Sequence, residues 1–384
     1  MIKILHVIDC MQNLGGAQEI LVELVKRLPS ESFSQQIIRL HGQNSYAKRL
    51  PKSDYPSMSL APGKYHLFTM VCRLYRHLKQ HRYDIVHLHL QVSSVVGTLL
   101  ARLCGAPNVI VTIYASKGQS PWWVFQAFAL LSPFVDVFVG LTEHQLSGLV
   151  EHSYAQRFLK PSSIRMIPVG IDPPQLDRAS STSTIRQELG ISEDVPLVLN
   201  VARFRYRKGQ AYLLRAMAEV VKAVPKTRCL IVGHGPEQKP LQQLTRELHL
   251  EHSVDFLIAR NDIDNLLSGC DLLVNSSLFE AMGVIDYQAM AHAKAIVSFN
   301  AGSVSEVVVD GETGALVPVR DIHALATAIA SLLKNPNLRS RYGKAGRQRF
   351  EASFLLDDKI KDYEELYKAL NHDATHAGVR HHSC

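Results

Sequence analysis

Twelve short runs rich in Val, Ile and Leu recur along this chain, most of them followed by a stretch with helical spacing. They are Ile2–Asp9, Gln36–His41, Asp84–Leu90, Val109–Ile113, Val135–Leu141 and Ile164–Pro168, then Leu197–Ala202, Cys229–Val232, Val254–Leu257, Asp271–Asn275, Ala295–Ser298 and Ala315–Val317. Nearly continuous apolar runs with helices between them predict parallel strands buried on both faces. Between the second and third runs, Leu67, Met70, Val71, Leu74 and Leu78 fall on one helical face. The alternation breaks once, where Gly170-Ile171-Asp172-Pro173-Pro174 leads into the polar linker Ser180-Ser181-Thr182-Ser183-Thr184. A chain of 384 residues is long enough for two cores. The expected fold is therefore α/β, with two doubly wound Rossmann-like domains in tandem, residues 1–175 and 176–356.

Composition narrows the class. With 46% apolar and 20% charged residues, the chain is neither disordered nor fibrous. Its six cysteines have no C-x-x-C pair, so neither a disulfide framework nor a zinc site is expected, and reduced thiols suit the cytoplasm. Met1-Ile2-Lys3-Ile4-Leu5-His6-Val7 reads as a strand, not a signal peptide. The apolar stretch Trp122–Leu141 contains Gln126, Pro133 and Asp136, which predicts a buried helix, a turn at Ser132-Pro133 and a strand in place of a membrane span. After Leu370 the tail 371–384 holds four histidines and no apolar pattern, and is expected to be disordered.

Charge is unevenly shared. Residues 1–175 hold 17 Lys+Arg against 10 Asp+Glu, which accounts for the whole formal excess of +7. Nine of these cations lie between Arg39 and Arg82 (Arg39, Lys48, Arg49, Lys52, Lys64, Arg73, Arg76, Lys79 and Arg82), with Asp54 as the one acid. Such a stretch favours anionic partners, and an anionic membrane surface is the expected one. No nucleic-acid-binding motif accompanies the charge, so nucleic acid is not expected.

Open parallel sheets bind ligands outside the carboxyl ends of their strands, which directs attention to the following loops. After the first strand, Gly15-Gly16 before a helix would let backbone approach a ligand closely. After Leu197–Ala202, the loop Arg203-Phe204-Arg205-Tyr206-Arg207-Lys208-Gly209 packs four cations into six residues. Arg203 and Lys208 reaching one diphosphate would neutralise it without a metal, and no cofactor is expected. Gly233-His234-Gly235-Pro236 ends the next strand. Beyond Asn275, Glu280 precedes a helix whose amino end at Met282, Gly283 and Val284 suits a phosphate, and Gln288 lies further inside it. Glu280 would accept hydrogen bonds from sugar hydroxyls, or simply cap the helix.

In order and spacing these pieces resemble the retaining GT-B glycosyltransferases of family GT4. The resemblance is carried by Gly15-Gly16-Ala17, Asp84-Ile85-Val86-His87-Leu88-His89, Gly170-Ile171-Asp172, Arg203 with Lys208-Gly209, and Val232-Gly233-His234-Gly235-Pro236. It continues through Phe279-Glu280-Ala281-Met282-Gly283, Gln288-Ala289-Met290-Ala291, Ala301-Gly302-Ser303-Val304-Ser305-Glu306 and Gly311-Glu312-Thr313-Gly314-Ala315-Leu316-Val317. It implies two domains facing each other across a cleft, Arg203 and Lys208 on the donor diphosphate, and Glu280 on the transferred sugar. It also implies Gly16 lining the donor pocket and a C-terminal helix, residues 357–370, crossing back to the first domain. The expected partners are a nucleotide-sugar donor and a glycan or lipid-linked acceptor.

Two positions depart from the family. Its Glu-x7-Glu pair is Glu280-x7-Gln288 here, and its Thr-x-His after the fourth strand is Thr112-Ile113-Tyr114. Glutamine can still hold a ribose hydroxyl. Tyr114 is no base near neutral pH, with an ordinary pKa near 10, but it can hydrogen-bond on the acceptor side. The expected function is metal-independent, retaining sugar transfer; the alternative is a catalytically weak GT-B module that binds a glycan or protein partner.

Overall fold

The computed structural model describes residues 1–11, 16–42, 45, 50, 57–61, 67–116, 120–174, 184–258 and 260–380. Gly15, Lys48, Arg49, Lys52, Lys64 and the linker serines Ser180, Ser181 and Ser183 fall outside them. The chain divides into two compact units, Met1–Gly170 with Leu356–Cys384, and Ile171–Leu355.

The first unit is built on seven parallel strands: β1 (Ile2–Ile8), β2 (Phe33–His41), β3 (Ser57–Ala61), β4 (Ile85–His89), β5 (Asn108–Ile113), β6 (Val137–Gly140) and β7 (Ile164–Met166). Their order is β3-β2-β1-β4-β5-β6-β7. β3 was not legible beforehand because Ser57-Met58-Ser59-Leu60-Ala61 is half polar and lies between Pro56 and Pro62. The helices are α1 (Gly16–Arg27), α2 (Leu67–Gln80), α3 (Gln91–Leu103), α4 (Trp122–Leu131) and α5 (Glu143–Val150).

Strand alternation sorts the side chains between two faces. Leu5, Val7, Val86, Leu88, Val109 and Val111 pack with Met70, Leu74 and Leu78 of α2, Leu100 of α3, and Val124 and Phe128 of α4. On the opposite face, Ile4, Ile85 and Ile110 meet Leu24 of α1, Leu28 just after it and a helix from the end of the chain, through its Ile360, Tyr363, Leu366 and Tyr367.

The second unit has six parallel strands: β8 (Leu197–Val201), β9 (Arg228–Val232), β10 (Val254–Leu257), β11 (Leu272–Asn275), β12 (Ala295–Phe299) and β13 (Gly314–Val317). They run in the order β10-β9-β8-β11-β12-β13. Its helices are α6 (Ile185–Glu188), α7 (Gln210–Ala223), α8 (Gln238–Glu247), α9 (Ile263–Gly269), α10 (Val284–Ala291), α11 (Val304–Val307), α12 (Ile322–Lys334) and α13 (Pro336–Ser353). Leu213, Leu214 and Met217 of α7 and Leu325 and Ile329 of α12 pack on Val198, Val274 and Val297 of the sheet. The strand order reverses between β8 and β11, a topological switch point where such sheets bind ligands.

Two expectations need correcting. The helix at Trp122 is only half buried: Val124, Phe128 and Ala129 face the core, whereas Trp122 is 80% exposed and Leu130, with Phe134 just after the helix, is also exposed. The apolar run misled because apolar residues cover both of its faces. No described helix is long and apolar enough to cross a membrane. The final helix, α14, runs from Leu356 to Arg380, so residues 371–380 are helical and not irregular. That stretch contains no proline to end the helix started by the packed turns before it.

Tyr367 is fully buried and donates to or accepts from His87 Nδ1 at 2.7 Å. Tyr367→Ala should cost about 3–5 kcal/mol, the usual loss for a buried aromatic side chain. Urea denaturation measures it; a change under about 1 kcal/mol would mean that α14 does not stabilise this sheet.

Candidate functional site

The loops that follow β8 and β11 are zipped together beside the switch point. Ser276 Oγ donates to the Lys208 carbonyl at 3.0 Å, and Leu278 N–H donates to the Arg207 carbonyl at 2.9 Å. Gly209 makes the approach possible: with φ +66, a Cβ there would lie 1.9 Å from the Ser276 carbonyl oxygen. From β12's side, Ser303 N–H donates to the Glu280 carbonyl at 3.0 Å, and a Cβ on Gly302 would lie 2.1 Å from the same oxygen.

This framework brings Lys208 Nζ to 2.5 Å from Glu280 Oε2, with the side chains 19% and 12% exposed. Ser277 Oγ donates to the same oxygen at 3.1 Å. Burial pushes the Glu280 carboxyl up, but the Lys208 charge and hydrogen bonds from Lys208, Ser277 and the Gly283 N–H outweigh it and hold it below the ordinary range. The Gly283 bond ties Glu280 to the turn that precedes α10 while Lys208 holds its carboxylate. Arg203 opens the same loop and is exposed, its carbonyl accepting from Gln210 Nε2 at 3.1 Å. Met282 and Val284 flank Gly283 at the amino end of α10 and are half-buried; Gly233 follows β9. Gln288 is half-buried and its carbonyl accepts from His292 Nδ1 at 2.8 Å.

Asp286 was missed. It occupies the first turn of α10 with no solvent exposure, and Asn275 Nδ2 donates to its Oδ2 at 2.8 Å, while Oδ1 has no hydrogen-bond partner. Burial, and then the charge of Glu280, push its carboxyl up to about 7. An acid among the apolar neighbours Val284, Ile285 and Tyr287 was the available signal. Also overlooked was the one Asp-x-Asp triplet, Asp262-Ile263-Asp264. Asp262 is engaged by Arg260 at 2.6 Å and by Asn265 at 2.9 Å.

In the first unit, Gly16 opens α1 and is half-buried, and Tyr114 follows β5. Tyr114 OH lies 3.3 Å from His89 Nδ1. His6, His87 and His89 are buried together, with ring nitrogens within 4.8 Å, a spacing that a metal ion could use. Every ring nitrogen of the three nevertheless has a hydrogen-bond partner within the protein.

Residues 14–175 match Glycosyltransferase Family 4, and residues 181–349 match Glycosyl transferases group 1. The chain belongs to the GT4 glycosyltransferases. It shares 26% identity with N-acetyl-alpha-D-glucosaminyl L-malate synthase of Bacillus anthracis over 94% of this chain and 95% of that one. With the UDP-Gal:alpha-D-GlcNAc-diphosphoundecaprenol alpha-1,3-galactosyltransferase of Escherichia coli it shares 24% over 95% and 96%. The solved structure of Anabaena HepE in complex with UDP superposes with a TM-score of 0.82 at 20% identity, covering 96% of this chain and 100% of that one, and identifies the fold as GT-B.

Within this GT4 chain, Asp286 makes stability depend on pH. From about pH 4 to 7 the folded protein holds a proton that the unfolded chain, with a carboxyl near 3.8, has released. Stability contributed by this group is therefore fully present at low pH and lost as pH rises through that window. Asp286→Asn should narrow the gap between urea midpoints at pH 5 and pH 8. An unchanged gap would show that Asp286 does not titrate there.

Proposed function

We propose that this glycosyltransferase moves a sugar from a nucleotide-sugar donor with retention of configuration and without a metal. The observation that carries the reading is the Lys208–Glu280 pair, held at 2.5 Å beside the switch point by two interlocked loops. Lys208 and Arg203 would balance the departing diphosphate, and Glu280 would bind hydroxyls of the transferred sugar. Gly233 and the Met282-Gly283-Val284 turn would border the phosphates, and Gln288 would hold the ribose.

No strong protein base is needed if the leaving phosphate takes the acceptor's proton on the same face. Burial drives the Tyr114 phenol well above its ordinary value, which fits a hydrogen-bonding role and not a basic one. Catalysis on this account is positioning together with electrostatic stabilisation. Lys208→Ala and Arg203→Ala should each slow transfer roughly 30- to 1,000-fold, about 2–4 kcal/mol, while excess EDTA leaves the rate unchanged. Wild-type turnover in Lys208→Ala would remove the assignment, and loss of activity in EDTA would remove metal independence. Slow donor hydrolysis without acceptor separates an active enzyme from a module that merely binds.

The acceptor side of the reading is a glycan or lipid-linked acceptor reached at an anionic membrane surface. The galactosyltransferase of Escherichia coli is named for a diphosphoundecaprenol acceptor. In this chain, α2 packs on α3 and α3 on α4. Phe68 (82% exposed), Leu99, Leu103, Trp122, Leu130 and Phe134 stand outward on that layer, and Arg73, Arg76, Lys79 and Arg82 are exposed on or just after α2. Each basic residue near an anionic bilayer contributes about 1 kcal/mol, and aromatic rings suit the headgroup level. Co-sedimentation should detect binding to phosphatidylglycerol vesicles that falls steeply with salt and drops when Arg73, Arg76 and Lys79 become Glu. Equal binding to neutral vesicles would refute the electrostatic part.

A further inference from the structure

On the face covered by α1 and α14, the sheet of the first unit carries a polar band beyond its apolar first residues. Ile4, Ile85 and Ile110 give way to His6, His87 and Thr112, and then to His89 and Tyr114. Buried imidazoles are tolerated where each nitrogen finds a partner. The partners here also fix the direction of every proton along one chain of bonds.

The chain begins at Gln35 of β2. Its Nε2 donates to the Val25 carbonyl at 3.2 Å, so the atom it turns toward His6 is Oε1, which can only accept. His6 Nε2, 3.2 Å from that oxygen, must therefore carry a proton. A neutral imidazole carries one proton, so His6 Nδ1 is bare and accepts from His89 Nε2 at 3.2 Å. By the same rule His89 Nδ1 is bare and accepts from the Tyr114 hydroxyl at 3.3 Å.

We propose that Gln35, His6 and His89 are positioning residues that turn the Tyr114 proton inward, so that the Tyr114 oxygen presents lone pairs and accepts a hydrogen bond from a hydroxyl of the sugar acceptor. Burial keeps both histidines neutral, lowering His6 to about 4 and His89 well below its ordinary value. His87 stands outside the chain, with its nitrogens on Tyr367 OH and Thr112 Oγ1 at 2.7 Å each. The hydroxyl held by Tyr114 is not the nucleophile, whose proton goes to the leaving phosphate. An acceptor with an ether or hydrogen at that position would leave the Tyr114 lone pairs unpaired, which gives the site a preference for a hydroxyl donor. The proposal rests on the transferase reading for its substrate, but the direction of the chain does not.

The two parts are tested separately. Long-range proton–nitrogen NMR of the full chain labelled with 15N-histidine reports tautomers without any turnover. His6 and His89 should both be protonated at Nε2, and a proton at Nδ1 of either overturns the proposal. Stoichiometric metal in the purified protein, bound to these rings, would overturn it too. The second part uses octyl glycosides as acceptors and the nucleotide sugar that stabilises the chain as donor. Tyr114→Phe should raise the acceptor KM about three- to tenfold, in line with one neutral hydrogen bond, with the donor KM moving less than about twofold. Gln35→Met should act in the same direction and introduce an Nδ1-protonated population at His89. An unchanged acceptor KM in Tyr114→Phe, or an equal rise in donor KM, overturns the role in acceptor binding. Absence of both transfer and donor hydrolysis in the wild type would instead break the transferase reading, and the spectra would still decide the direction.

Discussion

A lysine and a glutamate from two different strand ends meet at 2.5 Å with most of their surface out of water. Burying such a pair is costly unless further hydrogen bonds complete it, and removing one partner strands the other. Ser277, the Gly283 N–H and the two interlocked loops supply that completion. They also fix the relation between β8 and β11, the strands on either side of the switch point. A diphosphate arriving there would compete with Glu280 for Lys208, and a sugar hydroxyl would compete with Lys208 for Glu280. Substrate would thus replace one satisfied arrangement by another, without first having to create order in the loops.

The sheets were legible because a parallel strand buried on both faces has to be apolar almost throughout. Most of the twelve runs announced themselves that way, the exposed edge strand β7 being an exception, whereas β3, half polar and bounded by prolines, did not. Lys208 and Glu280 were legible as strand-end residues, though nothing in the sequence said that they would be bonded to each other. Asp286 escaped because a single acid inside an apolar helix carries no periodic signal; what makes it notable is the lack of water around it. The histidines of the Asp84–His89 motif were seen only as pieces of a family pattern. The hydrogen-bond direction at His89 depends on Gln35 and Val25, more than fifty residues earlier in the chain.

The first sheet has faces of different character. One carries ordered polar bonds near its carboxyl edge, where a proton's direction matters. The other is packed under three helices whose outer surfaces mix exposed rings with arginine and lysine. The helix at Trp122 serves both needs, because Val124 and Phe128 fill the core while Trp122 and Leu130 remain outside.

The packing of α14 sets a timetable for the growing chain. Ile4, Ile85 and Ile110 are covered partly by residues that the ribosome delivers long after the seventh strand, Ile360 to Tyr367. Translation at about 5–20 residues per second leaves a delay on the order of 10 to 40 seconds between completing the seventh strand and delivering that cover. During this interval the part of that face that α14 covers is open to water, and His87 lacks the Tyr367 hydroxyl. The six-stranded unit, whose sequence is continuous, has its entire core available sooner and can fold while its elder neighbour is still waiting. The unit begun first would then be the one completed last.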